Sequence, residues 1–479
     1  MPSGEDDACW PRLSDKVAHN QNRWTIRVVS EERGVDGAMT APLPPQGWYP
    51  VPSGVQAGVA PARAFVPQPK DDPFYTYSGS PPLDQIAPGT VLATRSIAYH
   101  VLGVPTALKT TQLLYRSTSQ TGKPTVNVTS VIQPLRHGDR TKVLSYQSAY
   151  DSLNRNDQPS YTISGGLTFG GIVPNVELAI FGLFLAQGFT VIVPDTEGQR
   201  ADFAAGPEYG MNTLDSIRAA FNASTVELAN DANVALLGYS GGAIASEWAA
   251  ELAPKYAPDV DVRMIGAAIG GLLVHPAHNL HYVENTYFWA GVIPMALMGI
   301  ARAFETDFAP YLTARGLRLY RDMQAMSIVN VVGQPAYWRL KWSDLVIPAY
   351  PTPESLPLFV SLANKLIMGT GGTPTVPLFI GQGANGDLEW TPGNKPGIGA
   401  GDGVMITGDV RTLARTYCAQ GTTVQYEQYD LLSHTTSVGI WLLNAIRWIN
   451  DRFAGQSAPQ NCSSIPLGNP LDPIPVPSR

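Results

Sequence analysis

Charge is scarce in this chain. Only 15% of its 479 residues are Asp, Glu, Lys or Arg, and the formal net charge is −7. The basic residues form no cluster along one predicted face, so the electrostatic footprint of a nucleic-acid binder is missing and no nucleic-acid partner is expected. Long hydrophobic runs are missing too. The longest, Phe288 to Ala301, covers roughly 14 residues, is interrupted by Pro294, and falls short of the ~18 that a transmembrane helix needs. The acidic, polar stretch Met1 to Trp10 offers no basic region followed by an apolar one, so no secretory leader is read there. A leader is expected to lie outside these residues or to begin at a differently placed start codon. Cysteine is nearly absent: Cys9, Cys418 and Cys462 are the whole set. A bridge between the last two would close a loop of about 45 residues and contribute up to ~4 kcal/mol in chain-entropy terms, while spacing alone leaves three unrelated thiols as an equal alternative.

What is present points to a large globular core. Hydrophobic residues make up 44% of the chain, and the length allows two or three domains. Residues 1–68 are rich in Pro, Gly and polar residues and show no sustained period, which reads as an irregular extension. Beyond about residue 90 the pattern changes. Thr111 to Tyr115, Val126 to Ile132 and Val143 to Tyr146 read as strands. A helix over Asn175 to Ala186, a strand over Phe189 to Val193, a helix over Leu214 to Asn222 and a strand over Val234 to Leu237 then alternate. Alternation of this kind implies βαβ units, an α/β class and a mostly parallel central sheet.

Ligands of such sheets bind outside the carboxyl ends of the strands, and a motif sits at that edge. Directly after Val234–Leu237 comes Gly238-Tyr239-Ser240-Gly241-Gly242, followed by a helix with Ile244, Trp248 and Leu252 on one face. About 0.3 matches to G-x-S-x-G are expected by chance in a chain this rich in Gly and Ser, so the pentapeptide alone is weak. Strand, strained turn between small residues, and helix dipole aimed at the serine together make a nucleophile elbow. A serine hydroxyl needs a general base, and in this arrangement the partners follow in the order Ser, Asp or Glu, His. His434 follows the strand Thr422 to Tyr429 and precedes an amphipathic helix with Val438, Trp441, Leu442, Ala445 and Trp448 inward. The acid should follow the strand Val376 to Ile380, where Asp387, Asp402 and Asp409 are available. Leu388 to Ala400 reads as an insertion, and Asp402 leads into a helix around Val410 to Cys418, which favours Asp402 with Asp387 as the alternative. The acid would hold the His434 tautomer without taking the proton.

Several of these segments carry a family resemblance. Asp71-Asp72-Pro73-Phe74-Tyr75, Ser145-Tyr146-Gln147 with Asp151 beyond it, Asp195-Thr196-Glu197-Gly198, the Gly238–Gly242 elbow, Asp402 and His434 resemble the secretory lipase family of fungi and actinobacteria. The resemblance covers about residues 69 to 465. It implies an α/β-hydrolase in which Asp151 and the Gly241 amide form the oxyanion hole, Cys418 and Cys462 are bridged, and the protein is secreted. Asn156 stands where the fungal relatives have a cysteine, residues 1–68 have no counterpart, and the loop around Asp387 is longer. The expected division is an extension (1–68), a first core part (69–271), a helical cap or lid (272–373), a second core part (374–465) and a C-terminal tail (466–479).

Other conspicuous residues carry less. His275, His278 and His281 are spaced i, i+3, i+6, whereas zinc pairs on a helix favour i, i+4, and Pro276 argues against a regular helix there, so no metal site is expected. Asp195 and Glu197 are either an acid pair near the site or loop braces. The sequons at Asn127, Asn222 and Asn461 would matter only in a eukaryotic secretory route. Two stretches of the expected cap are unusually apolar: Tyr287 to Ala301, and a helical face of Phe359, Leu362, Ala363 and Leu366. They form either the cap's own core or an acyl tunnel and a lipid–water interface, and a tunnel would favour medium and long acyl chains. The expected activity is carboxylic-ester hydrolysis by a secreted lipase acting on acylglycerols, with no cofactor. Alternatives are a polyester hydrolase or acyltransferase with the same residues, or a non-catalytic binding protein on the same fold.

Overall fold

The computed structural model describes residues 66–136 and 138–477. Almost all of the extension read over 1–68, Cys9 included, lies outside the described residues.

Among the described residues nine strands form one sheet: β1 (Val91–Val101), β2 (Val104–Thr118), β3 (Pro124–Ile132), β4 (Lys142–Gln147), β5 (Thr190–Pro194), β6 (Asn233–Tyr239), β7 (Met264–Gly270), β8 (Leu378–Gly383) and β9 (Val424–Tyr429). Their order is β1-β2-β3-β5-β4-β6-β7-β8-β9. The first three strands and β5 pair antiparallel. From β5 through β4 to β9 every pairing is parallel. β1 and β2 are joined by Leu102 and Gly103 at φ 48° and 75°, the positive angles that a two-residue hairpin turn demands. The sequence reading named only Thr111 to Tyr115 of this long hairpin: Ile97 and Tyr99 are buried on β1, but Val104, Pro105, Ala107 and Lys109 on the turn side of β2 are exposed and show no apolar alternation.

The central strands are buried on both faces, as parallel sheets covered by helices must be. Along β6, Val234 and Leu236 face one layer with Ala243, Ile244 and Trp248. Ala235 and Leu237 face the other with Trp441, Ala445 and Trp448. Alternation of side chains at period two thus feeds two separate cores from one strand. Burying a leucine in either layer contributes roughly 1.5–3 kcal/mol. The helices Gly206–Asn222, Gly241–Tyr256 and Thr407–Ala419 cover the first face, and Leu178–Ala186 and His434–Phe453 the second. This is the α/β-hydrolase architecture.

Between β7 and β8 the chain forms helices Pro276–Val283, Val292–Ala303, Ala314–Asp322 and Pro357–Ala363, the last two separated by the short helices Ile328–Val331 and Trp342–Leu345. They have a hydrophobic cluster of their own. Phe359, Leu362, Ala363 and Leu366 lie inside it with Ile293, Leu297, Trp342 and Leu345, so this helical face packs as core. A space of about 10 Å³ lined by Pro294, Leu297, Phe308 and Leu345, among others, holds no more than a water molecule. Pro276 does not prevent a helix, contrary to the sequence expectation: it occupies the first turn of Pro276–Val283 with His275 as the N-cap, where its missing N–H has no partner to lose. Cys418 and Cys462 are joined by a disulfide between the helix Thr407–Ala419 and the turn Cys462–Ser464. Among the described residues no helix is long and apolar enough to cross a membrane.

Candidate active site

Ser240 follows β6 without a spacer and adopts φ 55°, ψ −120°. A non-glycine residue holds such angles only where its surroundings over-determine them. Here they do. The Ser240 amide donates to the Gly270 carbonyl on β7 at 2.9 Å, and the flanking glycines let backbone meet backbone. A Cβ on Gly238 would lie 2.0 Å from the Gly242 carbonyl oxygen, and one on Gly242 would lie 2.1 Å from the Gln147 carbonyl oxygen at the end of β4. The helix Gly241–Tyr256 starts immediately after the serine, directing its positive end at Oγ.

The structure brings Ser240, His434 and Asp402 together. His434 Nε2 lies 2.8 Å from Ser240 Oγ, and His434 Nδ1 lies 2.8 Å from Asp402 Oδ2. Asp402 is fully buried in the loop beyond β8. Its Oδ2 also accepts from Gln382 Nε2 at 2.9 Å, and its Oδ1 from the amides of Val404 and Met405 at 3.1 and 2.7 Å. Donors on every side fix the carboxylate's orientation. Asp387, the alternative acid, is exposed. His434 opens the last long helix, capped by Ser433, and its backbone is tied at both ends: its amide donates to the Asp402 carbonyl at 2.6 Å and its carbonyl accepts from Tyr239 Oη at 2.6 Å. Burial works most strongly against charging the imidazole, but the Asp402 carboxylate hydrogen-bonded to it and the charges of Glu389 and Asp151 together outweigh burial, and His434 is held above the usual histidine value.

Asp151 lies in the loop after β4 at φ 36°. A Cβ on Gly241 would be 1.8 Å from Asp151 Oδ1, so the carboxyl rests against the residue after the serine. Burial pushes Asp151 up to about 7, opposed by the charge of His434. Its loop is clamped from two sides. The Asp151 carbonyl accepts from the Ile328 amide at 2.8 Å and Ser152 bridges to Ser327. Glu197 accepts from the Ser152 amide at 3.1 Å and from Tyr209 Oη at 3.1 Å, and Asp195 accepts from the Ser160 amide and hydroxyl at 2.8 and 2.6 Å. The two acids therefore act as braces for the 151–160 loop, and burial raises both.

The three histidines diverge. His275 and His278 stack at 3.8 Å, His278 Nδ1 lies 3.0 Å from Asp409 Oδ2, and His281 Nε2 lies 2.5 Å from Glu354 Oε1. Among the described residues no group of His, Cys, Asp or Glu is arranged to hold a metal ion. Asn127 is fully buried and donates to the Asp195 carbonyl, so a glycan on that side chain is incompatible with this fold. Sequence reasoning missed Gln382, which follows the predicted strand by two residues, and Glu389 and Trp289, which meet beside His434. The only signal for Glu389 was an acid between Leu388 and Trp390 in an otherwise polar, Gly/Pro-rich loop.

The secretory lipase family model matches residues 166–334. A Mycobacterium tuberculosis protein designated a probable inactive lipase is 31% identical over 396 residues, 81% of this chain and 83% of that protein. Lipase 2 of Candida albicans is 40% identical over 373 residues, 74% of each. Among solved structures, Candida antarctica lipase A in its closed state is similar with a TM-score of 0.67 and 27% identity, covering 86% of this chain and 92% of that one.

Proposed function

The chain belongs to the secretory lipase family, and from that membership we propose that it hydrolyses acylglycerol-type carboxylic esters through an acyl-serine intermediate. The observation that carries the proposal is the unbroken pair of 2.8 Å contacts from Ser240 Oγ through His434 to Asp402. Ser240 Oγ attacks the ester carbonyl carbon as its proton passes to His434 Nε2, and the carbonyl π pair moves onto oxygen. Collapse of that intermediate expels the alcohol oxygen, which takes the proton back from Nε2. Water then repeats the sequence and frees the acid. General-base assistance of this kind is worth roughly 10²–10⁴-fold.

Asp402 holds Nδ1 protonated and stabilises the imidazolium. The oxyanion is received by the Gly241 amide and by the Asp151 carboxyl, which below about 7 retains its proton and can donate it; each such donor is worth about 10²–10³-fold. Exposed apolar residues close to the site in sequence or contact support a lipid–water interface. Tyr287 packs on Trp338, Trp390 lies against Phe288, and Leu431 precedes His434 by three residues. The Cys418–Cys462 disulfide supports an extracellular location.

The experiment is covalent labelling with a phosphonate ester, followed by a panel of p-nitrophenyl esters from acetate to palmitate. Label is expected on Ser240, with Ser240→Ala retaining less than about 10⁻⁴ of turnover. Label on a different serine, or turnover surviving in Ser240→Ala, overturns the mechanism. An unlabelled, inert wild type would place the chain with its relative designated inactive.

A further inference from the structure

The insertion between β8 and Asp402 delivers a second carboxylate to the neighbourhood of His434. Glu389 closes the 3₁₀ turn Gly386–Glu389 and is 5% exposed, although the residues on either side of it, Leu388 and Trp390, are 54% and 63% exposed. Trp390 takes a left-handed φ of 54°. That reversal sends its ring outward while Glu389 turns in. Both oxygens of Glu389 are engaged: Oε1 accepts from the Thr435 amide at 2.8 Å and the Thr435 hydroxyl at 2.6 Å, and Oε2 accepts from Trp289 Nε1 at 2.7 Å.

These partners converge on one ring. Thr435 is the residue after His434, so Oε1 is fastened to the backbone that carries the imidazole. The Trp289 indole comes from the helical segment between β7 and β8 and meets the His434 ring edge-on, with centroids 5.5 Å apart at 87°. Gly403, the residue after Asp402, has φ 129°, and a Cβ there would lie 2.4 Å from Glu389 Oε2. The turn that carries the acid is thus packed on the same carboxylate.

A neutral amide or hydroxyl could tie Thr435 to one neighbour with less desolvation than a buried carboxylate suffers. The charge therefore calls for a use of its own. It lies beside an imidazole that becomes positive in each half of the reaction.

We propose that Glu389 is a positioning residue that holds the His434 imidazole between Asp402 and the Trp289 indole, its charge supporting the imidazolium formed when Ser240 gives up its proton. The proposal rests on the serine-hydrolase reading above. The titratable groups facing His434 are Asp402 and Glu389 from the loop after β8, Asp151 from the loop after β4 and Tyr239 from the end of β6.

Two variants and two readouts test it. Glu389→Gln keeps the shape but removes the charge and sets an amide donor against either Trp289 Nε1 or Thr435. Trp289→Phe keeps an edge-on ring but removes the indole donor. The first readout is titration of the His434 ring by NMR in a Ser240→Ala background, which does not depend on turnover. Glu389→Gln is expected to lower the His434 pKa by about one pH unit, and Trp289→Phe to leave it unchanged. The second readout is ester hydrolysis by the otherwise wild-type enzyme. Glu389→Gln should lower kcat about 10–100-fold with KM altered less than about threefold, its acid limb moving to lower pH, and Trp289→Phe should lower kcat about 3–10-fold with the limb in place. An unshifted titration and wild-type kcat in Glu389→Gln, even with a lower Tm, would reduce Glu389 to a structural tie and overturn the proposal. Should Glu389→Gln fail to fold, unchanged kcat in Trp289→Phe overturns it instead. Absence of phosphonate label on Ser240 would count against the hydrolase reading alone, because the NMR titration still decides the link between Glu389 and His434.

Discussion

The elbow around Ser240 and the helical segment between β7 and β8 meet at His434, yet they are held by different physics. At the elbow, backbone lies on backbone, Gly238 against Gly242 and Gly242 against the end of β4, and the Asp151 carboxyl rests on Gly241, each at a distance that no Cβ could occupy. In the helical segment, side chains do the packing, with Leu362, Phe359 and Trp342 filling one cluster and Trp289 reaching out to Glu389 and the imidazole. Backbone contact leaves no slack, whereas a side-chain cluster can relax around a change. The elbow should therefore fail abruptly in activity when altered, and the helical segment should lose stability by degrees.

The largest separation is expected at the acid. Asp402→Asn should lower kcat about 10⁴-fold by permitting the wrong imidazole tautomer, while Asp387→Asn, exposed at the start of the same loop, should stay within about twofold. Steady-state kinetics on the two variants check this, and the opposite ranking would return the role to Asp387. Next comes the elbow itself. Gly241→Ala drives a methyl into Asp151 Oδ1 and should cost at least about 10²-fold in kcat through displacement of the oxyanion donors, with far-UV circular dichroism unchanged.

Asp151 offers a smaller effect that depends on pH. Its carboxyl, raised to about 7 by burial, is neutral and able to donate below that value and becomes an anion facing the oxyanion above it. Wild-type kcat/KM should thus decline on the alkaline side, by about tenfold per pH unit once well past the pKa. In Asp151→Asn the side-chain donor cannot ionise and that decline should vanish. The acid limb, set by His434 becoming neutral as pH rises, should remain in both proteins and move to lower pH in Asp151→Asn, since Asp402 raises the imidazole in both and Asp151 adds to that rise only in the wild type. A pH–rate profile that keeps its alkaline fall in Asp151→Asn would remove the carboxyl from the oxyanion role. In the helical cluster, Leu362→Ala should change stability far more than kcat. It should cost about 2–5 kcal/mol of stability by leaving a cavity in the helical cluster, measured by urea unfolding, while kcat stays within about threefold. A large loss of kcat there would erase the distinction between the two regions.

Much of the site was legible because the sheet imposes periods that sequence displays. Strands buried on both faces read as apolar runs, the helices between them show one apolar stripe, and the proposed catalytic residues lie beyond the carboxyl ends of strands: Ser240 directly after β6, Asp402 in the loop after β8 and His434 in the connection after β9. The glycines of the elbow were readable for the same reason, since only a residue without Cβ fits that approach. The sequence by itself thus determined the α/β class, the order of serine, acid and base, and the small residues that frame the serine. The sequence favoured Asp402 but left Asp387 open; the folded loop brings Asp402 to the imidazole and leaves Asp387 exposed. Tertiary structure alone decided that Pro276 starts a helix, that Leu362 and Leu366 are core, and that Glu389 and Trp289, 100 residues apart in sequence, close on His434 from opposite elements. Local periodicity reports which face of an element is buried, and it carries no information about which distant side chain arrives there. Contacts of that kind are fixed only when the whole chain has packed.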